Sequence, residues 1–268
     1  MNELSAAAME LRDIPVLKQL WRDTFGDPDE LIDSFFELLC GVGTGIVCRD
    51  GREPVAMAYL LDGMRAGMVK CSYIYAVATK SEYRGRGCGA ALMRACRSAS
   101  RQRGNDVLCT SPAEPSLYDW YEGLLDMQPV SFSSEYGIEP ELSGALPAVR
   151  PADASEYNLA REQYLCGSPH VSFSDNYIAL ELAVCRACGG GLFAVGSGFA
   201  ACYPEDGVLK IRELMCPEQS FHVSVAALAG KLGCRMASVQ GRSFENPCIA
   251  AAPSELLPKG LWWGLALD

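Results

Sequence analysis

Residues 72–104, SYIYAVATKSEYRGRGCGAALMRACRSASRQRG, place a strand directly before a glycine-rich turn and a helix, and this order constrains the chain more than any other stretch. Residues 72–79 are β-branched, aromatic and small, as a buried strand requires. Arg84 to Gly89 read R-G-R-G-C-G. From Ala90 the pattern is helical, with Ala91, Leu92, Ala95, Cys96 and Ala99 on one side. Arg94, Arg97, Arg101 and Arg103 lie mostly off that stripe, and the later ones sit where a helix C-terminus favours cations. Glycines at the head of a helix, right after a strand, turn several backbone N–H groups toward one point. Orphan amides and the positive end of the helix dipole together form an anion cradle. The spacing is neither G-x-x-x-x-G-K-[ST] nor G-x-G-x-x-G, so the two common nucleotide loops are unsupported. The hexapeptide alone also fits a tight turn without a ligand.

The flanking segments narrow the choice. Gly104-Asn105 stops the helix, and DVLCTSP (106–112) is a short apolar run ended by proline. SLYDWYEGLLDMQPV (116–130) is helical in pattern, with Leu117, Trp120, Tyr121 and Leu124 as its apolar set. Strand, R-x-x-G-x-G (Arg84, Gly87, Gly89), helix, strand and a tyrosine helix, in that order, resemble the GNAT acetyltransferase superfamily. The usual Gly-Phe after the tyrosine helix is Asp126-Met127 here, so a different turn is expected. The resemblance implies an acyl-CoA N-acyltransferase fold, an α/β chain with an α+β mixed sheet.

At 268 residues, with 49% hydrophobic and 21% charged residues, the chain has the composition of a globular protein with a good core. No run reaches the length of a membrane helix, and MNELSAAAMELRDIP lacks a basic n-region. A cytoplasmic location is expected. Most of the 13 cysteines lie in apolar or small-residue runs, as buried free thiols do. Cys185 and Cys188 make one C-x-x-C, but no second pair follows and the histidines are His170 and His222, so no metal is expected. A net charge of −10 disfavours nucleic acid and anionic membrane and favours a cationic partner, although solubility alone accounts for it.

A break falls at PELSGALPAVRPAD (140–153), with three prolines and a Ser-Gly pair. On its two sides the chain reads as one arrangement used twice. In the first half, 13–25 and 31–39 are amphipathic helices, and 45–63 is a strand pair with turns at Asp50-Gly51 and Asp62-Gly63. In the second, 155–165 and 176–188 are helices. Residues 191–216 are strands with turns at Gly196-Ser197-Gly198 and Asp206-Gly207, and 224–241 reads helix, glycine, strand. Where the first half has RGRGCG, the second has PEQSFHVS (217–224), with no glycine and with Glu218 where phosphate would sit. A bulky acidic turn keeps phosphate off the backbone. The reading is two tandem GNAT-like domains, 1–140 with an intact acetyl-CoA motif and 147–268 a degenerate copy.

What the resemblance implies for chemistry is specific. The strand 72–79 carries a bulge and parts from 106–111, and pantetheine enters the gap. Val77, Ala78 and Thr79 bind pantetheine and thioester. The pyrophosphate rests on the turn Arg84, Gly85, Arg86, Gly87, Cys88, Gly89 and Ala90, through amides rather than the Cys88 thiol. Tyr121 protonates the leaving thiolate, although a packed aromatic on a helix face would read the same way. Acetyl-CoA is thus the co-substrate, and the acceptor is a small-molecule or peptide amine, cationic in character. The general base is open among Asp62, Glu114 and the C-terminal carboxylate of Asp268, with LWWGLALD (261–268) read as a final buried strand. Two rival readings are a silent module that binds acetyl-CoA and regulates a partner, and an aminoacyl-tRNA-dependent transferase. The intact Tyr121 opposes the first, and the R-x-x-G-x-G loop and acidic charge oppose the second.

Overall fold

In the computed structural model, which describes residues 4–141 and 144–267, the chain divides into two units. The first takes the residues up to Ser131 together with Pro247–Leu261 and Leu267, and the second takes Phe132–Asn246 and Trp262–Ala266. This differs from a single cut between 140 and 147. The C-terminal stretch returns to the first unit because residues Ala250–Ala252 pair antiparallel with the strand that ends at Thr110, and that hydrogen-bonding edge has no sequence signature.

The first unit runs β1 (Leu4–Ala8), α1 (Ile14–Phe25), α2 (Asp29–Val42), β2 (Gly43–Asp50), β3 (Glu53–Ala66), β4 (Val69–Thr79), α3 (Cys88–Gln102), β5 (Val107–Thr110) and α4 (Pro115–Leu125). β6 (Gln128–Ile138) leads out of it. The sheet order is β1-β2-β3-β4-β5, antiparallel except for the parallel pair β4–β5, which α3 connects. The period of two along β3 builds two cores. Ala56, Ala58 and Leu60 pack with Leu92, Met93 and Cys96 of α3. On the opposite parity Tyr59 meets Phe35 at 4.8 Å and Trp21 at 5.5 Å between ring centroids. Each such ring pair adds about 0.5–1.5 kcal/mol beyond its area, so this cluster fastens α1 and α2 to the sheet. The expected turn at Asp62-Gly63 is instead a bulge. Gly63 takes φ 86°, the β3–β4 register shifts between Leu61 and Met64, and the chain reverses only at Gly67 (φ 62°). A positive φ in glycine serves a bulge as well as a turn, which is why the sequence misleads here.

The second unit follows the same succession. β7 (Val149–Pro151) and two helices, α5 (Ala154–Leu165) and α6 (Asp175–Ala187), flank the short β8 (Ser172–Phe173). Then come β9 (Gly191–Val195), β10 (Gly198–Glu205), β11 (Val208–Met215), α7 (Phe221–Leu232) and β12 (Met236–Ala252). β9, β10 and β11 form an antiparallel meander, and the start of β12 is parallel to β11. The side chains of Asp153 and Ser174 cap the two helices by accepting from Glu156 N and Tyr177 N, as their residue types predict. Cys185 is buried in α6, and Cys188 is its exposed C-cap. No described helix is long and apolar enough to cross a membrane.

Residues 261–267 of LWWGLALD are buried but form no strand. Within Trp262–Ala266 the pairing is one isolated bridge, Trp262 to His170. Gly264 takes φ 71°, which breaks the extended run. Side chains satisfy the segment instead: Arg161 Nη2 donates to Trp263 O (3.2 Å), Tyr177 Oη to Leu265 O (3.3 Å), and Trp262 Nε1 donates to Glu213 Oε1 (2.8 Å).

One ion pair pins the N-terminal helices of the first unit. Arg49 on β2 forks onto Asp13 at 2.7 and 2.6 Å, and Glu10 N donates to the same carboxylate at 2.7 Å. Asp13 is buried, and its pKa is held below the usual carboxylate value, chiefly by the Arg49 hydrogen bond. A depressed folded pKa contributes stability that is complete above the unfolded value of about 3.9 and is lost as pH falls through the folded one. Asp13→Ala, which strands a largely buried guanidinium, should cost about 3 kcal/mol in urea unfolding at pH 7. The difference between wild type and Asp13→Ala should shrink below pH 4.

Candidate functional site

The backbone of β4 creates the site. Its register against β3 jumps from Tyr59–Tyr75 to Met57–Ala78, so β4 spends one extra residue there, and Ala76 takes φ 47°. A non-glycine residue at positive φ costs about 1–2 kcal/mol, and this one marks a bulge. β4 and β5 pair from Cys71–Val107 only as far as Ile74–Thr110. Beyond that point a cavity of about 690 Å³ opens, lined on the β4 side by Ile74 to Val77 and Thr79 and on the other by Thr110, Ser111 and α4. The volume suits a substantial organic ligand.

The glycine turn closes one end. A 3₁₀ turn at Ser81–Tyr83 leads to Gly85 (φ 72°) and Gly87 (φ 88°), and Gly87 caps α3 with no side chain. The first intrahelical bond is Ala91 N to Gly87 O at 3.0 Å. The amides of Gly87, Cys88, Gly89 and Ala90 are therefore the four that a helix start leaves without an intrahelical acceptor. A Cβ at Gly85 or Gly87 would meet nothing within 4 Å, whereas one at Gly89 would lie 3.2 Å from the Trp120 ring. The first two glycines thus serve the backbone angle, and the third serves close packing of α3 on α4. Cys88 points into the core beside Cys48, whose thiol burial pushes up to about 12. Arg84 is exposed, with Nε 3.4 Å from Thr79 O, and Arg86 is exposed over the Tyr83 ring at 4.9 Å.

Of the residues singled out from sequence, Val77, Thr79, Gly89 and Tyr121 lie on the cavity wall. Ala78 is buried on the other parity of β4, Ala90 is half-buried, and Gly85 and Arg86 are exposed. Tyr121 on α4 is 5% exposed. Burial pushes its pKa up, opposed by a hydrogen bond with Thr110, so the phenol is a proton holder at neutral pH. Asp126 does the work of the missing glycine, capping α4 at φ 57°, and Met127 after it is buried.

The carboxylates read from sequence are placed elsewhere. Asp62 is bound by Arg103 Nε (2.5 Å) and Asn105 Nδ2 (2.8 Å), off the cavity wall. Glu114 is exposed at the α4 N-cap. Asp268 lies outside the described residues, although Leu267 O, just before it, accepts from Tyr73 Oη at 2.6 Å on the wall. Among the described residues the acid on the wall is Asp27. Gly26 ends α1 in the left-handed region (φ 74°) and turns the chain so that Asp27 Oδ2 accepts from Trp21 Nε1 at 2.7 Å. An acid in a Gly-Asp-Pro turn between helices is usually solvated, so only its distance-six pairing with a tryptophan hinted at it.

Comparison with known proteins bears on family and fold. The model of the acetyltransferase (GNAT) domain matches residues 7–122. No curated protein matches the chain by sequence. Among solved structures, a GCN5-related N-acetyltransferase from Kribbella flavida is similar at 19% identity and TM-score 0.66, over 94% of this chain and 72% of its own. Eis1 from Mycobacterium abscessus gives 13% identity and TM-score 0.61 over 95% and 74%. A protein from Pyrococcus horikoshii gives 16% identity and TM-score 0.66 over 100% and 95%. At these identities the likeness speaks to fold, which is an acyl-CoA N-acyltransferase fold.

The open surroundings of Gly85 and Gly87 set an expectation. Gly85→Ala and Gly87→Ala should each lose about 1–2 kcal/mol in denaturant unfolding, the cost of left-handed backbone alone, with an unchanged far-UV spectrum.

Proposed function

We infer that this chain, whose residues 7–122 form a GNAT acetyltransferase domain, moves an acetyl group from acetyl-CoA to a primary amine. The family and fold support acyl-CoA-dependent acetyl transfer in general, and the amine as acceptor is our reading. The observation that carries it is the joining of four open helix-start amides to the cavity that the β4 bulge opens, through Thr79 and Gly89 on its wall.

These residues fit the co-substrate. Amides at a helix N-terminus bind a pyrophosphate without a counter-charge, with Arg84 and Arg86 exposed beside them. β4 from Ala76 to Thr79 has left β5, so an extended chain can lie along it as an added strand would. Acetyl-CoA supplies an acetyl group activated as a thioester. The protein holds a neutral phenol, Tyr121, on the wall, a donor suited to a departing thiolate. A net charge of −10 favours an amine acceptor.

One site per chain is proposed. In the second unit the turn before α7 is the 3₁₀ segment Glu218–Ser220, with no glycine and no positive φ from Cys216 to Ser220. β11 keeps a bulge at Arg212, but Glu213 beyond it is filled by its own unit, accepting from Arg161 Nε (2.8 Å), Tyr157 Oη (3.0 Å) and Trp262 Nε1 (2.8 Å).

Two experiments test this reading. Isothermal calorimetry with acetyl-CoA should give one site per chain, and Gly87→Glu should abolish it with the fold retained. Two equivalent sites, or full affinity in Gly87→Glu, would sink the assignment. Tyr121→Phe should leave acetyl-CoA affinity unchanged and lower turnover on a working amine on the order of 10²-fold, read as acetylated product by mass spectrometry. Equal turnover would remove Tyr121 from the chemistry, and a wild type that binds acetyl-CoA but acetylates no amine would favour the silent module.

A further inference from the structure

The hydroxyl of Thr110 sits where two features of the site meet. Thr110 is the last residue of β5, and its pairing with Ile74 is the last rung of the β4–β5 ladder. Its side chain is buried, lies on the cavity wall, and donates from Oγ1 to Ile74 O at 3.1 Å. It also shares a hydrogen bond with the hydroxyl of Tyr121 on α4. A threonine hydroxyl has one proton and two acceptor positions. A carbonyl can only accept, so the Thr110 proton goes to Ile74 O, and Tyr121 is the donor in the bond between the two hydroxyls. Burial raises the Tyr121 pKa and this bond opposes the rise, as a group able to donate to the phenolate would.

We propose that Thr110 is a positioning residue for proton transfer from Tyr121: its hydroxyl orients the neutral phenol, then turns from Ile74 O to donate to the phenolate. This rests on the acetyltransferase reading above and adds a residue to that site. In the transfer Tyr121 turns its O–H from Thr110 to the departing thiolate sulfur. The O–H bond breaks, an S–H bond forms, and the electron pair stays on Oη. The acceptor nitrogen loses one proton in forming the amide, and that proton restores the phenol, so no outside acid is consumed. Tyr121 is 5% exposed, so water has little access to the charge left on Oη, and a buried anion without a donor is costly. Thr110 supplies the donor by giving up a weak bond. At 3.1 Å its bond to Ile74 O is longer than an ordinary O–H···O bond, whereas a hydroxyl donating to a charged oxygen makes a bond roughly twice as strong as a neutral one. The gain therefore arises once the proton has left, where it assists the reaction rather than the resting state. The other titratable groups on the wall, among the described residues, are Asp27, Tyr73 and Tyr75. Cys96 of α3, in the same core as Tyr121, stays neutral because burial pushes its thiol up to about 12.

The test uses the full chain, and its first arm needs no turnover. Difluorotyrosine replaces tyrosine, because its fluorines bring phenol ionisation to lower pH, and fluorine NMR follows each ring through a pH titration. The Tyr121 resonance is the one absent from Tyr121→Phe. Thr110→Val should raise the Tyr121 midpoint by about half a unit or more, and Thr110→Ser, which keeps the hydroxyl, should hold it within about 0.2 unit of wild type. Thr110→Ala carries the same expectation if Thr110→Val does not fold. On a working amine, Thr110→Val should lower kcat about tenfold, and the double variant with Tyr121→Phe should be no more than about twofold slower than Tyr121→Phe alone. A smaller rise in Thr110→Val, a larger one in Thr110→Ser, undiminished turnover in Thr110→Val, or a slower double variant would overturn the proposal. Calorimetry with acetyl-CoA on the same samples separates the two readings, since Thr110→Val should bind it within about twofold of wild type. A wild type that binds no acetyl-CoA, with the midpoint still moved by Thr110→Val, would break the transferase reading and leave the Thr110–Tyr121 pair standing.

Discussion

The separation of β4 from β5 is the constraint on which the rest of the first unit depends. Two parallel neighbours would ordinarily pair along their whole overlap, and each ladder bond is worth about 0.5–1.5 kcal/mol net. Here pairing stops at Ile74–Thr110, one residue before the bulge that puts Ala76 at positive φ. The fold forgoes those bonds and carries the strain of that residue. Both are tolerable because the two cores on either side of β3 are full, with aromatic rings on one face and the α3 side chains on the other. The cavity is therefore a consequence of backbone geometry rather than of missing side chains.

The two units show how the same order of elements reaches opposite ends. Each has two helices, a three-stranded meander, a helix and a parallel strand, and each meander carries a bulge on its last strand. In the first, the turn before the helix is open at Gly85 and Gly87 and a cavity lies beyond the bulge. In the second, the turn has side chains throughout. Glu213, next to the bulge, is enclosed by Arg161, Tyr157 and Trp262, with Gly264 approaching so closely that a Cβ would collide with the carboxylate. Removing one partner of so buried a pair costs several kcal/mol, so the second unit is committed to a filled interior.

Charge is used in three different ways. Arg49–Asp13 and Arg161–Glu213 are buried and fully engaged, and they fix elements. Asp62 is drawn out of chemistry by Arg103 and Asn105. Asp27 accepts from a neutral indole through Oδ2, and its Oδ1 accepts no hydrogen bond among the described residues. A carboxylate's partner, more than its presence, decides whether it is available.

Much of this was legible from residue order. The strand, R-x-x-G-x-G turn and helix are local: glycine alone takes φ of 72° and 88° cheaply, and a helix start always exposes its first amides. The register of Tyr121 after β5 is likewise local, and it put that residue on the wall. The repeated order of elements was visible in periodicity. What periodicity cannot carry is long-range pairing. Gly63 reads the same as a turn or a bulge, and only its partner strand decides. LWWGLALD reads as a strand because it is apolar, but Gly264 and the side chains of Arg161, Tyr177 and Glu213 hold residues 262–265 outside any strand. Asp27, Asp62 and Glu114 are alike as letters. Which one faced the cavity was decided by a glycine cap, an indole donor, and Arg103 and Asn105 just beyond α3, brought together by packing that the linear order does not encode.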